Sequence, residues 1–219
     1  MENTQDRDYD VVIELKNICK SIRGNQILDG ISYQFHGNRV YGIRGKNGSG
    51  KTMLMRCIAG LIRPTQGEIR IKGKPLDKKH SIPPSIGLLL ENPSFLGEYT
   101  GFRNLKLLAD LKDGLSDRQI EELMIQVGLE EQMNKRYEAY SLGMKQRLGV
   151  AAAIMGRPDI ILLDEPINAI DGDGVNQIRD VIRDLRAPGR AIIVSCHDLE
   201  EMQLLADEIL VISEGRIVG

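Results

Sequence analysis

The chain has 219 residues, 42% of them hydrophobic and 27% charged, and a formal net charge of -2. That length suits one substantial domain with a subdomain, and the near-neutral balance carries no electrostatic footprint for nucleic acid. No apolar run approaches the roughly 20 residues needed to span a bilayer, and residues 1–10 are too polar and acidic for a signal or transit peptide. Cys19, Cys57 and Cys196 are far apart and lack metal-ligand spacing, so we expect buried small hydrophobes in a reducing cytoplasm. The histidines are scattered as well, which argues against a zinc site.

Along residues 11–43, β-branched and aromatic segments alternate with turn signals at Arg23-Gly24-Asn25 and His36-Gly37-Asn38. Residues 68–72 (EIRIK) alternate strictly and place Ile69 and Ile71 on one face of a strand. These segments predict a mostly antiparallel sheet built around a glycine-rich turn at residues 45–52, GKNGSGKT. Gly45, Gly48 and Gly50 let the backbone bend so that successive N–H groups, with Asn47 and Ser49 between them, point at one anion. Residues 40–43 before the turn read as a short buried strand. Leu54, Ile58 and Leu61 after it have helical spacing, so the anion would sit at a helix N-terminus. Lys51 can then reach terminal phosphates, and the Thr52 hydroxyl can ligate magnesium. A nucleoside triphosphate is the implied ligand.

The middle of the chain changes character. Residues 102–111 look helical, and Ser116 offers a capping box with Gln119. Ile120, Leu123, Met124 and Val127 share the following helical face, and Gly128 stops it. A further helix is expected from about Met144 through the alanines at 151–153. Residues 92–157 thus form a helical insert between the sheet-forming segments 11–91 and 158–219, all within one domain. Residues 160–163 (IILL) are apolar throughout, as befits a parallel strand covered on both faces. Helices are expected at 175–185 and 200–206, a second buried strand at 191–195, and a hairpin at 209–218 turning at Glu214-Gly215. The sum is an α/β core, an antiparallel β subdomain and an inserted α-helical subdomain.

Asp164 and Glu165 end the apolar strand side by side. Beside a phosphate loop, Asp164 suits a magnesium ion shared with Thr52. Glu165, one residue further, can orient a water in line with the γ-phosphate and accept its proton. The motif order then resembles that of an ABC-type ATPase, the nucleotide-binding subunit of a membrane transporter with a P-loop NTPase core. The signature loop of that family corresponds to Tyr140-Ser141-Leu142-Gly143-Met144, followed by Lys145-Gln146-Arg147-Leu148. A serine hydroxyl and backbone N–H groups at a helix start make this a second anion site. Asn168-Ala169-Ile170-Asp171 resembles the loop that crosses to a partner subunit, and Ser195-Cys196-His197 the switch histidine that contacts the γ-phosphate. A Cys196–His197 dyad is not expected, because adjacent residues in an extended chain face opposite sides.

The resemblance also exposes departures. Ile22 stands where the family carries an aromatic that stacks on adenine, with Arg23 beside it, which implies weaker discrimination between ATP and GTP. Glu91 replaces a glutamine that senses magnesium, and a carboxylate there can ligate the metal directly. Leu142 and Met144 replace a glycine and a glutamine of the signature loop, while Ser141 and Gly143 are kept. The strings YSLGMKQR and LLLENPSF resemble the bacitracin- and lantibiotic-export group. Membership implies ATP and Mg2+ as cofactors and a homodimer that sandwiches two ATP molecules. It also implies a separate transmembrane permease on whose inner face the chain sits. Two readings stay open at this point: a hydrolysing motor subunit, and an ATP-gated binding module with little turnover.

Overall fold

The computed structural model describes residues 11–76, 82–83, 85–111 and 114–219. The polar segment 1–10 and His80, one of the three scattered histidines, lie outside the described residues. Strands β1 (Val11–Ile22) and β2 (Asn25–His36) form a long hairpin, and β3 (Arg39–Arg44) leads into the glycine-rich turn that α1 (Lys51–Ile58) leaves. Next come β4 (Gln66–Ile71), β5 (Lys74–Pro75) and β6 (Ile86–Leu89), then helices α2 (Gly101–Leu111), α3 (Asp117–Gln126) and α4 (Leu142–Ile154). The chain continues through β7 (Ile160–Asp164), α5 (Gly172–Asp184), β8 (Ala191–Ser195), α6 (Leu199–Leu205), β9 (Glu208–Ser213) and β10 (Arg216–Ile217).

Two sheets result. One has four strands in the order β2-β1-β4-β5, and the other six in the order β10-β9-β3-β8-β7-β6. The first is antiparallel, whereas β3, β6, β7, β8 and β9 of the second pair in parallel with one another and β10 returns antiparallel to β9. This corrects the expectation of an antiparallel sheet around the loop: β3 pairs in parallel with β8 and β9. Its residues Val40, Tyr41 and Ile43 are fully buried, which demands cover on both faces.

The parallel sheet sorts its side chains by parity. Tyr41, Ile43, Ile160, Leu162, Ala191 and Ile193 join the core shared with the antiparallel sheet and α1. Val40, Ile161, Leu163, Ile192 and Val194 join the core under the helices. Period-2 alternation therefore feeds two cores from one sheet, and the unbroken apolar runs seen in the sequence are its signature.

Helix boundaries follow their caps. The capping box at Ser116 and Gln119 is present as expected. Three other helices begin earlier than periodicity alone suggested, because Ser141, Asp171 and Asp198 accept from the N–H groups of Met144, Gly174 and Glu201. In the other direction, α1 stops at Ile58, since Gly60 adopts a left-handed φ of 72°. Leu61, expected on the buried helical face, is instead 51% exposed. Cys57 and Cys196 are buried as expected. Cys19 is a correction: it is only half-buried, and its Sγ accepts from the Gly30 N–H at 3.2 Å.

Strand β6 went unassigned in the sequence, where Gly87 interrupts its apolar run. The reason is close packing: a Cβ on Gly87 would come within 1.7 Å of the Ala153 carbonyl oxygen on α4. Gly87→Ala is therefore predicted to cost about 1–3 kcal/mol through overpacking, read as a lower urea midpoint by circular dichroism. An unchanged midpoint would contradict the close approach of β6 and α4.

Candidate nucleotide site

Parallel register brings the chemistry to one edge. Ser195 lies opposite both Asp164 and Ile43, so β3, β7 and β8 end at one level. In open α/β sheets that carboxyl edge is where ligands bind. The glycine-rich turn leaves β3 at this edge, with Gly48 at φ 79° and Gly50 at φ 111° as the N-cap of α1. Such angles favour glycine. Gly45 is required by space, since a Cβ there would lie 2.2 Å from the Ile212 carbonyl oxygen. The β9–β10 turn braces the loop from outside through Gly215 N–H to the Ser49 carbonyl, 3.0 Å.

Lys51 is 7% exposed, and its ammonium donates to the carbonyls of Gly45 (2.8 Å) and Lys46 (3.3 Å). The Ser49 hydroxyl is buried with no hydrogen-bond partner among the described residues. A cationic head, an orphaned hydroxyl and left-handed glycines at a helix start make a set of donors that fits a polyphosphate.

Opposite the loop, Asp164 is gripped from two sides. Its Oδ2 accepts from the Thr52 hydroxyl at 2.7 Å, and its Oδ1 accepts from the Ser195 hydroxyl. Only 8% of the residue is exposed. Ser195 was missed as a site residue; a hydroxyl closing an otherwise apolar strand was the available signal. Oxygen donors on Thr52 and Asp164, already in contact, suit a hard divalent cation. Among the described residues no three His, Cys, Asp or Glu side chains cluster as a self-sufficient metal site.

Glu165 leaves the strand with a left-handed φ of 52°. Its N–H donates to the Ser195 carbonyl (3.2 Å) and hydroxyl (3.1 Å), and its carbonyl accepts from the Gln146 amide at 2.7 Å. The side chain is paired loosely. Its Oε2 accepts from the His197 N–H at 3.3 Å, while Oε1 lies 3.2 Å from His197 Nε2 without hydrogen-bond alignment. Oε1 is buried and otherwise unpartnered among the described residues. Burial raises the Glu165 carboxyl above its usual range, against the opposing pull of His197. By contrast, burial pushes the Cys196 thiol up to about 11, and the residue turns inward while His197 is exposed. That geometry holds no thiolate–imidazole pair.

The remaining predicted residues lie around this centre. Ile22 ends β1 opposite Asn25 and is 40% exposed. Glu91 follows β6 at φ 65° and pairs with Arg56, which stands one helical turn beyond Thr52 on α1. Ser141 caps α4, and Gly143 abuts the loop after Glu165, where a Cβ would meet the Ala169 carbonyl oxygen at 2.7 Å. Arg147 on the same helix reaches Asp171 at 2.9 Å. No hydrogen bond among the described residues joins Ser141 or Gly143 to the phosphate loop.

A strand-loop-helix phosphate cradle facing an acidic pair at the end of a parallel strand two places along the sheet defines a nucleotide-hydrolysing P-loop protein. Residues 28–168 match the profile of the ABC transporter family. The chain is 45% identical over 206 residues to the uncharacterized ABC transporter ATP-binding protein YybJ of Bacillus subtilis (strain 168), covering 94% of each. It is 38% identical to the bacitracin transport ATP-binding protein BcrA of Enterococcus faecalis, over 94% of this chain and 68% of that one. The chain belongs to the ABC transporter family as an ATP-binding subunit, and it is an ATPase of that type. In fold it matches the dimeric ATP-binding cassette MJ0796 in a post-hydrolysis state with ADP and Pi, with a TM-score of 0.85 at 23% identity, covering 94% of this chain and 97% of that one.

The raised Glu165 carboxyl has a stability consequence. A carboxyl whose folded pKa is raised adds stability below its unfolded pKa and loses it as pH rises through the folded value. The ionised form of Glu165 is therefore the one that burdens the fold. Glu165→Gln is predicted to melt at or above the wild-type temperature at pH 7, with the difference shrinking toward about pH 4.3. Thermal melts at both pH values check this, and a clear drop at pH 7 would contradict it.

Proposed function

We propose that this chain is the hydrolysing motor of a membrane exporter. Two copies stack head to tail, so that the loop at residues 45–52 of one faces Ser141 and Gly143 of the other across ATP. Such a dimer is isologous, and nucleotide held from both sides closes it. Within each site, Lys51 and Ser49 meet the terminal phosphates, with Gly45, Asn47, Gly48 and Gly50 shaping the cradle. Thr52 and Asp164 would hold Mg2+, which neutralises phosphate charge when bound, and Glu91 stands at the rim through Arg56. Glu165 orients the attacking water and takes its proton, with His197 beside it to contact the γ-phosphate.

One observation supports this reading over an ATP-gated module without turnover. Glu165 has a pinned backbone but a buried carboxylate oxygen that accepts no hydrogen bond from the described residues. A residue that served only the fold would be paired. The partner permease is a separate polypeptide in this reading; no helix among the described residues is long and apolar enough to cross a membrane. The chain then sits on the cytoplasmic face of the membrane. Its likeness to BcrA and to the lantibiotic transport ATP-binding protein SrtF of Streptococcus pyogenes, at 38% and 32% identity, favours export of a drug, peptide or lantibiotic-like cargo.

Steady-state ATPase assays on Glu165→Gln test the motor reading. Loss of a general base should lower kcat by about 100-fold or more, while ATP still drives dimerisation on size exclusion. Equal, slow turnover in wild type and variant, with both dimerising, would hand the function to the ATP-gated module. A second measurement concerns the base. With an exposed aliphatic Ile22 in place of a stacking ring, calorimetry should find ATP and GTP bound within about tenfold of one another, a gap of roughly 1.4 kcal/mol. A strong ATP preference that survives Ile22→Ala would refute that role.

A further inference from the structure

The first two turns of α4 are tied to the loop that follows β7 at three points. Gly143 presses on the Ala169 carbonyl, the Gln146 amide donates to the Glu165 carbonyl at 2.7 Å, and Arg147 pairs with Asp171 at 2.9 Å. The middle tie is the buried one. Gln146 is only 4% exposed, and among the described residues its long polar side chain is spent on a single backbone oxygen. That oxygen belongs to the residue whose φ of 52° is unusual for a side chain with a Cβ. On its other side, the Glu165 N–H is held by Ser195 at the end of β8. Both peptide groups of Glu165 are thereby fixed, one from the sheet and one from the helix.

We propose that Gln146 is a positioning residue for hydrolysis, holding the Glu165 backbone in its left-handed turn so that the carboxylate keeps its place beside His197. This rests on the reading of Glu165 as the group that activates water. Among the described residues the carboxylate makes no well-aligned hydrogen bond to a side chain, so its position is inherited from its backbone. The Glu165 carbonyl has one other donor among the described residues, the Asn168 N–H at 3.2 Å. Loss of Gln146 therefore leaves the oxygen satisfied but the peptide free to rotate about that bond. Because Ser141 caps the same helix five residues earlier, the tie also links the end of α4 assigned to the partner's nucleotide with the glutamate of its own site.

Gln146→Met keeps the length and apolar bulk and removes the donor; Gln146→Asn keeps an amide but withdraws it by one methylene. In both, kcat should fall about 10- to 100-fold, the scale of a misplaced catalytic group, with KM for ATP within about twofold of wild type and ATP-driven dimerisation retained. In a Glu165→Gln background, Gln146→Met should have no further effect on turnover, because the group it positions is already absent. Wild-type kcat in either folded variant would overturn the proposal, and so would an undiminished effect in the Glu165→Gln background. Should Gln146→Met fail to fold, the Gln146→Asn values decide alone. If Glu165→Gln itself turns over at the wild-type rate, the reading of Glu165 fails; if it is slow while Gln146→Met is not, only the role of Gln146 fails.

Discussion

Asp164 sits at the end of a buried strand with its carboxylate gripped by two hydroxyls, Thr52 from the first turn of α1 and Ser195 from the end of β8. Much of the site depends on that clamp. A carboxylate so little exposed must find partners or lose its charge, and here the partners come from the two elements that must be brought into register. Joining α1 to β7 sets the phosphate loop against the acidic pair. Joining β8 to β7 sets Ser195 against both Asp164 and the Glu165 N–H. The polar contacts that solvate one buried charge therefore also assemble the site.

Much of this was legible from local chemistry. The glycine-rich turn, the capping box at Ser116 and the two-sided apolar strands each follow from short-range rules, and each is found as read. What escaped was set by contacts distant in sequence. Whether β3 pairs in parallel or antiparallel is decided by β8 and β9, some 150 residues later. Strand β6 hides because Gly87 looks like a break, when its missing side chain makes room for the α4 backbone. Leu61 kept helical spacing, but Gly60 had already turned the chain. In the site, Lys51, Thr52, Asp164, Glu165 and His197 were all named from motif order, and the structure brings them to one edge. Ser195 and Gln146 were not assigned roles, since a serine or glutamine discloses its use only through its partner.

Helix α4 illustrates how one element serves two demands. Its buried alanines and glycine let it lie close on β6 and β7, where Gly149 approaches Leu89 and Pro93. Such a face has little polarity to spare, yet Gln146 is buried within it. A buried amide is tolerated only when its hydrogen bonds are met. The acceptor it meets is a backbone carbonyl that pairs with no strand among the described residues, where β7 ends and the chain turns away. The helix thus supplies what the strand can no longer supply.

Backbone strain points the same way. Outside glycine, left-handed residues include Glu91, Glu165 and Ala169, all on loops leaving β6 or β7 at the ligand edge. Each such conformation costs of order 1–3 kcal/mol at a strained site, and glycine would relieve it. At Glu165 glycine would also delete the carboxylate. The chain must turn sharply just where it needs an acid, because the strand has ended and the next helix lies beneath the sheet. Placing a side chain at a turn that prefers none requires the surrounding peptide groups to be held from outside. That requirement accounts for the Ser195 and Gln146 contacts on either side of Glu165. The strain and its restraints are two parts of one arrangement, and both trace to the demand for a carboxylate at the end of β7.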